Sequence, residues 1–244
     1  MKALTFTGKE SISYETISDP AILRDTDVIV RVKACAICGS DLHVYHGRES
    51  GIDLHTAMGH EFAGEVMAKG AAVKTLAVGD NVMSPFTTSC GDCYFCRIGL
   101  TCRCIHGQLF GWVEEGKGLH GGQSEYVRVP MADSTLMKVP EGMDDELAVM
   151  LGDIIPTGFF CARQSMPAGG IIGVAGCGPV GLMAIAGAYH YGAKRVFAFD
   201  AVPARLEMAA AFGAAPVNIL QKDFREQILE TTDGIGADAM LEAV

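Results

Sequence analysis

Aromatic side chains are scarce in this sequence: one Trp, six Tyr and eleven Phe make up 7% of the 244 residues. Its 49% hydrophobic content therefore rests on aliphatic and other small apolar residues, and with a mean hydropathy of +0.25 the composition excludes a disordered chain. Basic residues are also few. Lys and Arg number 19 against 29 Asp and Glu, for a formal net charge of −10. That balance gives no general attraction to phosphate backbones or anionic lipid, which argues against nucleic-acid and membrane-surface partners. The opening residues Met1, Lys2, Ala3, Leu4, Thr5 and Phe6 lack the basic segment and long apolar run of a secretory signal, so a cytoplasmic protein is expected. Residues 171–188 form an uncharged run at the lower limit for a membrane span, but five glycines and Pro179 interrupt it and favour a soluble reading. No internal repeat or low-complexity tract is present, and the length suits one large domain or two smaller ones. Thirty glycines point to many tight turns.

Cysteine is abundant by contrast. There are nine, an odd number, and seven lie between Cys35 and Cys104 at spacings that suit metal ligation better than a disulfide framework. Cys90, Cys93, Cys96 and Cys104 make C-x2-C-x2-C-x7-C within fifteen residues, together with Gly91 and Gly99. Four thiolates satisfy tetrahedral zinc and leave no open position, which describes a structural site. The alternatives are free or oxidising thiols in a loop, or an iron–sulfur cluster, although nothing else in the chain suggests electron transfer. Cys102 could compete with Cys104 as the fourth ligand.

Period-2 alternation predicts strands over residues 27–34, 60–67, 78–83 and 123–130, separated by Gly-Asp, Gly-Gly and Pro-Glu-Gly turns. The first 140 or so residues thus read as mostly β. Asp144, Asp145 and Glu146 place negative charge at a helix start, and the helical stretch after Leu147 is expected to break near Pro156. Beyond Pro167 the pattern alternates: apolar 171–175, helical 179–191, apolar 196–199, helical 203–212, apolar 216–220, helical 223–232 and apolar 237–244. This βαβαβαβ order predicts a parallel, doubly wound sheet. The boundary falls within 153–167 and is drawn as 1–155 and 156–244.

Gly176, Cys177, Gly178, Pro179, Val180 and Gly181 form a G-x-G-x-x-G that follows an apolar strand and opens a helix. Asp200 closes the next strand, 19 residues after Gly181. The glycines admit a pyrophosphate to backbone N–H groups at a helix N-terminus, and an acid at that distance can accept from the adenosine ribose hydroxyls. Because Asp200 would repel a 2'-phosphate, NAD is expected rather than NADP. Arg205 stands near enough either to lie beside the ribose or to pair with a phosphate. An ordinary Gly-rich turn is the plain alternative.

Cys38-Gly39-Ser40-Asp41-Leu42-His43, Gly59-His60-Glu61, the four-cysteine loop, Gly79-Asp80, Gly122-Gln123-Ser124-Glu125-Tyr126-Val127 and the nucleotide loop occur in this order. Together they resemble the zinc-dependent medium-chain alcohol dehydrogenase family along the whole chain. The segments around Gly122 and Gly152 look most like its formaldehyde-dehydrogenase-like and polyol branches. The resemblance implies fold class α/β plus β: a GroES-like, β-rich catalytic domain followed by a partial Rossmann domain, with the active site in the cleft between them. It implies that Cys38 and His60 are the first two ligands of a catalytic zinc. The third position falls in Leu151-Gly152-Asp153-Ile154, where much of the family has Cys or Glu, and Asp153 fills it here. Thiolate and carboxylate offset the metal charge and leave a fourth position open. Glu61 matches an acid that can approach the metal, and Asp41 a partner that orients His60. Ser40 and His43 match a proton relay. Gln123, Ser124 and Glu125 read as turn and strand residues, and His46, His55, His106, His120 and His190 as surface or core histidines.

The implied function is a zinc-dependent oxidoreductase that transfers a hydride between an alcohol, or aldehyde adduct, and NAD(P). It implies two zinc ions, one catalytic and one structural, a small-molecule substrate, and a homo-oligomer when full length. A non-catalytic zinc- and nucleotide-binding module is the competing reading. A non-zinc quinone reductase of the same superfamily is disfavoured because that branch lacks the ligands represented by Cys38, His60 and Asp153. The family continues past the position of Val244, so the sheet is expected to be incomplete and the chain a fragment or a short form.

Overall fold

Strand β1 (Lys2–Gly8) turns back on β2 (Ser11–Thr16), and β3 (Val28–Cys35) begins a second sheet. The computed structural model describes residues 1–165, 169–221 and 223–244; Pro167, the downstream end of the expected boundary stretch, lies outside them. The described residues form two compact units, Met1–Asp153 and Ile154–Val244, so the division drawn at 155/156 falls two residues into the second unit.

In the first unit, helix α1 (Gly39–Tyr45), β4 (Thr56–Ala57), β5 (Phe62–Lys69) and β6 (Asn81–Ser84) follow β3. A short helix α2 (Tyr94–Arg97) leads to the hairpin β7 (Trp112–Glu114) and β8 (Lys117–Leu119). After β9 (Tyr126–Val129), α3 (Ala132–Thr135) and β10 (Met137–Lys138), the unit ends with α4 (Asp145–Gly152). Its main sheet is antiparallel, in the order β10-β6-β5-β3-β9. Val28 and Val30 point inward from β3 onto Phe62, Val66, Val82, Val127 and Val129. Phe62 and Phe110 meet edge-to-face at 5.1 Å inside this core, a favoured aromatic geometry.

The second unit opens with α5 (Ile154–Gln164) and continues with β11 (Ile171–Ala175), α6 (Pro179–His190), β12 (Arg195–Asp200), α7 (Pro203–Ala211), β13 (Ala215–Asn218), α8 (Phe224–Glu230) and β14 (Ala239–Glu242). All four strands are parallel, in the order β13-β12-β11-β14. Alternate residues of β12 face opposite ways. Val196 and Ala198 pack with residues of α5, α6 and α7, whereas Phe197 and Phe199 pack with Ile228 and Phe224 of α8. Both faces of the sheet are thus covered by helices, as a doubly wound sheet requires.

Several expected elements shift for local reasons. The strand expected over 60–67 begins only at Phe62, because Gly59 turns with φ +88° and releases His60 and Glu61 from the sheet. The helical break near Pro156 instead lies at Asp153, whose φ of −143° separates α4 from α5. Pro156 sits in the first turn of α5, where a missing N–H breaks no helical bond. Residues 171–188 are divided between β11, the glycine loop and α6, and among the described residues no helix is long and apolar enough to cross a membrane.

Candidate metal centres and nucleotide loop

Cys38 stands in extended conformation as the residue before α1, and Ser40, Asp41 and His43 lie on that helix. His60 and Glu61 precede β5, and Asp153 follows α4, which packs its Ala148 and Val149 onto Ala63 and Met83 of the main sheet. These three segments bring Cys38 Sγ, a His60 ring nitrogen and carboxylate oxygens of Glu61 and Asp153 within 4.8 Å of one another. Asp153 Oδ2 lies 3.6 Å from His60 Nε2. Ser40 Oγ lies 3.4 Å from the same nitrogen. On the other side of the ring, Asp41 Oδ1 faces Nδ1 at 3.5 Å, while Asp41 Oδ2 accepts the Cys38 N–H at 2.9 Å. His43 is half exposed and its Nδ1 is 4.0 Å from Glu49 Oε1.

The chemistry of this cluster fits a divalent cation. Burial pulls the His60 imidazole down, but polar contacts with Asp153, Asp41 and Cys38 outweigh it and push it up to about 12. Burial and the neighbouring Asp153 charge push the Glu61 carboxyl up, and its Oε1 is buried with no hydrogen-bond partner. Thiol, carboxylates and imidazole therefore create a buried demand for positive charge, which a metal would satisfy while leaving His60 neutral as a ligand.

Around the short helix α2, the sulfurs of Cys90, Cys93, Cys96 and Cys104 also lie within 4.8 Å of one another. Three sulfur pairs measure 3.5, 3.9 and 4.0 Å, close to the edge of about 3.8 Å set by a tetrahedron of zinc–sulfur bonds. Backbone N–H groups of Cys90, Cys93 and His106 point at sulfurs of the set. Bonds from Cys96 and Ile105 backbone groups bring the Cys93 thiol down to about 6, whereas desolvation pushes Cys96 up to about 12. Four sulfurs at these separations fit a single tetrahedral cation. Cys102 is exposed and outside the cluster, whereas Cys104 lies within it.

In the second unit, β11 runs directly into Gly176, whose φ is +86°, and Gly178 precedes α6 with Pro179 at the first helical position. A side chain on Gly181 would collide with the Gly176 carbonyl, while one on Gly178 would meet nothing within 4 Å. The loop is therefore closed tightly on one side and open at Gly178, where an anionic group can approach the helix N-terminus. Gly181 is buried, Val180 half-buried and Pro179 exposed. Asp200, 7% exposed, accepts the Cys177 N–H at 2.8 Å and the Val202 N–H at 2.8 Å. Burial alone would raise its carboxyl; these bonds and Arg205, 3.8 Å away, hold it below the ordinary value. The Cys177 side chain is buried, and desolvation and the Asp200 charge push its thiol up to about 11.

Reading the sequence as turn and strand missed the placement of Gln123. Its buried amide donates to Asp41 Oδ2 at 3.3 Å and to the Ala36 carbonyl at 3.5 Å. The adjacent glycine pair, Gly121 and Gly122, was the local signal that this segment approaches other backbone closely.

Comparisons with known proteins agree with this geometry. Residues 24–141 match the family model described as alcohol dehydrogenase GroES-like domain, and residues 179–244 match that described as zinc-binding dehydrogenase. The chain is 45% identical over 253 residues to the medium chain reductase/dehydrogenase ucsI of Acremonium sp., covering all of this chain and 85% of that protein. It is 40% identical to zinc-type alcohol dehydrogenase B of Aspergillus flavus, again over the whole chain but only 58% of the relative. Among solved structures, the alcohol dehydrogenase TADH from Thermus sp. ATN1 superposes with a TM-score of 0.93 at 38% identity, covering all of this chain and 70% of that one.

Proposed function

Because the chain belongs to the zinc-dependent medium-chain alcohol dehydrogenase family, we propose that it takes part in hydride transfer between a small alcohol, or aldehyde adduct, and a nicotinamide dinucleotide. The observation that carries this reading is the convergence of Cys38, His60, Glu61 and Asp153, with Asp41 behind the imidazole and Ser40 before it. Cys38, His60 and Asp153 would hold a catalytic zinc, Glu61 lies near enough to approach it, and Cys90, Cys93, Cys96 and Cys104 would hold a structural one. When bound, zinc supplies Lewis acidity that lowers the pKa of an alcohol hydroxyl, and nicotinamide supplies the hydride acceptor.

The chain's own groups do the rest. Asp41 fixes the orientation of His60, so that Nε2 stays aimed at the cluster. Ser40 Oγ, 3.4 Å from that nitrogen, is placed to accept the hydroxyl proton released on oxidation, and half-exposed His43 to pass it to solvent. Gly176, Gly178, Pro179, Val180 and Gly181 would bind the dinucleotide phosphates, and Asp200 the adenosine ribose, which favours NAD over NADP. Arg205 would lie beside that ribose. Five of the nine cysteines fall in the two ligand sets, a use of thiols that favours a reducing, cytoplasmic compartment. Assembly with copies of itself rests on the family resemblance.

Elemental analysis together with alcohol-dependent reduction of NAD tests the reading. Two zinc ions per chain and turnover abolished by Cys38→Ser are expected. Zinc and nucleotide bound with no turnover on any alcohol or aldehyde would replace it with a non-catalytic binding module.

A further inference from the structure

Gln123 is held from three directions. Its backbone N–H donates to the Met58 carbonyl at 2.8 Å, its carbonyl accepts the Leu4 N–H at 2.8 Å, and the preceding Gly122 N–H donates to the Gly59 carbonyl at 2.8 Å. The side chain then runs beneath Gly59. A methyl group added to Gly59 would come within 2.5 Å of Gln123 Cγ, so the glycine that releases His60 from the sheet also makes the channel for the glutamine. The amide emerges beside Asp41 and the Ala36 carbonyl. One side chain thus touches the turn before His60, the segment before Cys38 and the carboxylate between them.

The hydrogen bonds of Asp41 show what this contact does. Oδ1 faces His60 Nδ1. Oδ2 accepts the Cys38 N–H at 2.9 Å and the Gln123 amide at 3.3 Å. Asp41 is nearly buried, and the walls of the cavity of about 200 Å³ on which it and Gln123 open are mainly apolar, from Leu4, Ile12, Ile37, Leu42 and Met58. In such surroundings a carboxylate rotates freely unless its oxygens are held, and each hydrogen bond counts for more than in water. With Oδ2 held by two donors on different segments, Oδ1 is left aimed at the imidazole.

We infer that Gln123 is a positioning residue of the mixed-donor metal centre: its amide fixes the Asp41 carboxylate, and through it the orientation of His60 and the backbone of Cys38. This rests on the proposal that Cys38, His60 and Asp153 are metal ligands. Loss of an outer partner of a metal-bound histidine costs about 10- to 100-fold in metal affinity, and Gln123 acts one step further out, through Asp41.

The test is release of metal from zinc-loaded protein into excess chelator, with the two centres separated by comparison with Cys38→Ser. Gln123→Met keeps the stem and removes the donor. It should speed release from the mixed-donor centre about 10-fold, leave release from the four-cysteine centre unchanged, and have no further effect when added to Asp41→Asn. With cobalt in the mixed-donor centre, the same variant should shift the visible ligand-field bands. Release within twofold of the unmodified protein, an unchanged cobalt spectrum, or an equal acceleration in the Asp41→Asn background would overturn the inference. If Gln123→Met does not fold, Gln123→Asn, one methylene too short to reach Asp41, is read in the same way. Failure of both to fold would make Gln123 a folding residue and overturn it as well. If the unmodified protein takes up no metal beyond the four-cysteine centre, the ligand assignment itself fails and takes this inference with it; metal uptake with no effect of Gln123 defeats the inference alone.

Discussion

Asp200, at the end of β12, accepts the backbone N–H of Cys177 in the middle of the glycine loop at 2.8 Å. The bond joins the glycine loop and the end of β12, 23 residues apart in sequence. An acid that the sequence offers as a ribose acceptor is thus also a brace for the glycine loop, and removing it should disturb both.

Asp200→Gly is therefore expected to weaken NAD binding by about 10- to 100-fold, the range for losing a hydrogen bond to a charged group, and to relax discrimination against NADP. Asp200→Asn keeps an acceptor for the Cys177 N–H but loses the charge, so it should change cofactor discrimination more than loop stability. Calorimetric titration with both dinucleotides checks this. A preference of the unmodified protein for NADP would show that the carboxylate does not set the choice.

The same bonds make an acid-side contribution to stability. The folded Asp200 carboxyl is held below its ordinary value, so the ionised group stabilises the fold above the unfolded pKa of about 3.9. That contribution is lost as pH falls through the folded value. The melting-temperature difference between the unmodified protein and Asp200→Asn should be constant above about pH 5 and shrink below about pH 4. A difference that grows on acidification would mean the sign is wrong.

Cys177 sits inside the glycine loop, a place that suggests a thiol open to reagents and shielded by NAD. There the side chain is buried, and desolvation and the Asp200 charge push its thiol up to about 11. Compared with a free cysteine of pKa near 8.5, the thiolate fraction at neutral pH falls by roughly 300-fold. Labelling by iodoacetamide should be correspondingly slow and equal with or without NAD. Rapid modification that bound NAD suppresses would restore the reactive-thiol reading.

Motifs with strong local chemistry were legible in the sequence. The C-x2-C-x2-C-x7-C spacing survives folding because a loop of fifteen residues must bring those sulfurs together to be useful, and the parallel strands follow from periodicity. The gathering of Cys38, His60 and Asp153 was not a matter of spacing. It depends on α4 packing onto the main sheet and on the turn at Gly59, and only family resemblance pointed to it. Gln123 was illegible for a further reason: its role depends on a channel beneath Gly59 and a carboxylate 82 residues away, and neither leaves a local pattern. The N-terminal hairpin β1–β2 also escaped notice: β1 carries Ala3, Leu4, Thr5 and Phe6 without a period-2 pattern, and the apolar Ile12 and Tyr14 of β2 are exposed rather than packed.

Replacing a ligand in the four-cysteine centre should be felt mainly in stability. A closed site couples metal binding to folding, so Cys93→Ser is expected to lower the melting temperature by about 10 °C or more and reduce the metal count by one. A chelator should produce the same loss in the unmodified protein. Unchanged melting after removal of that metal would assign the four sulfurs a role other than structural ligation.

Asp153 should show the opposite pattern. It occupies the break between α4 and α5, with Oδ2 3.6 Å from His60 Nε2, and its carboxylate supplies part of the negative charge that a divalent metal needs beside the Cys38 thiolate. Asp153→Ala removes that charge while leaving the helix packing of Ala148 and Val149 in place. One zinc per chain should be lost, the four-cysteine metal retained, and melting changed little. Since a Lewis acid lowers the barrier by several kcal/mol, turnover in the dehydrogenase assay should fall by at least about 1000-fold. Asp153→Cys puts a thiolate at the same position and should recover the second zinc, because the charge and donor count are restored even though the donor atom differs. Two zinc ions still bound to Asp153→Ala would remove Asp153 from the ligand set and leave the buried Glu61, whose Oε1 has no hydrogen-bond partner, as the acid that completes it.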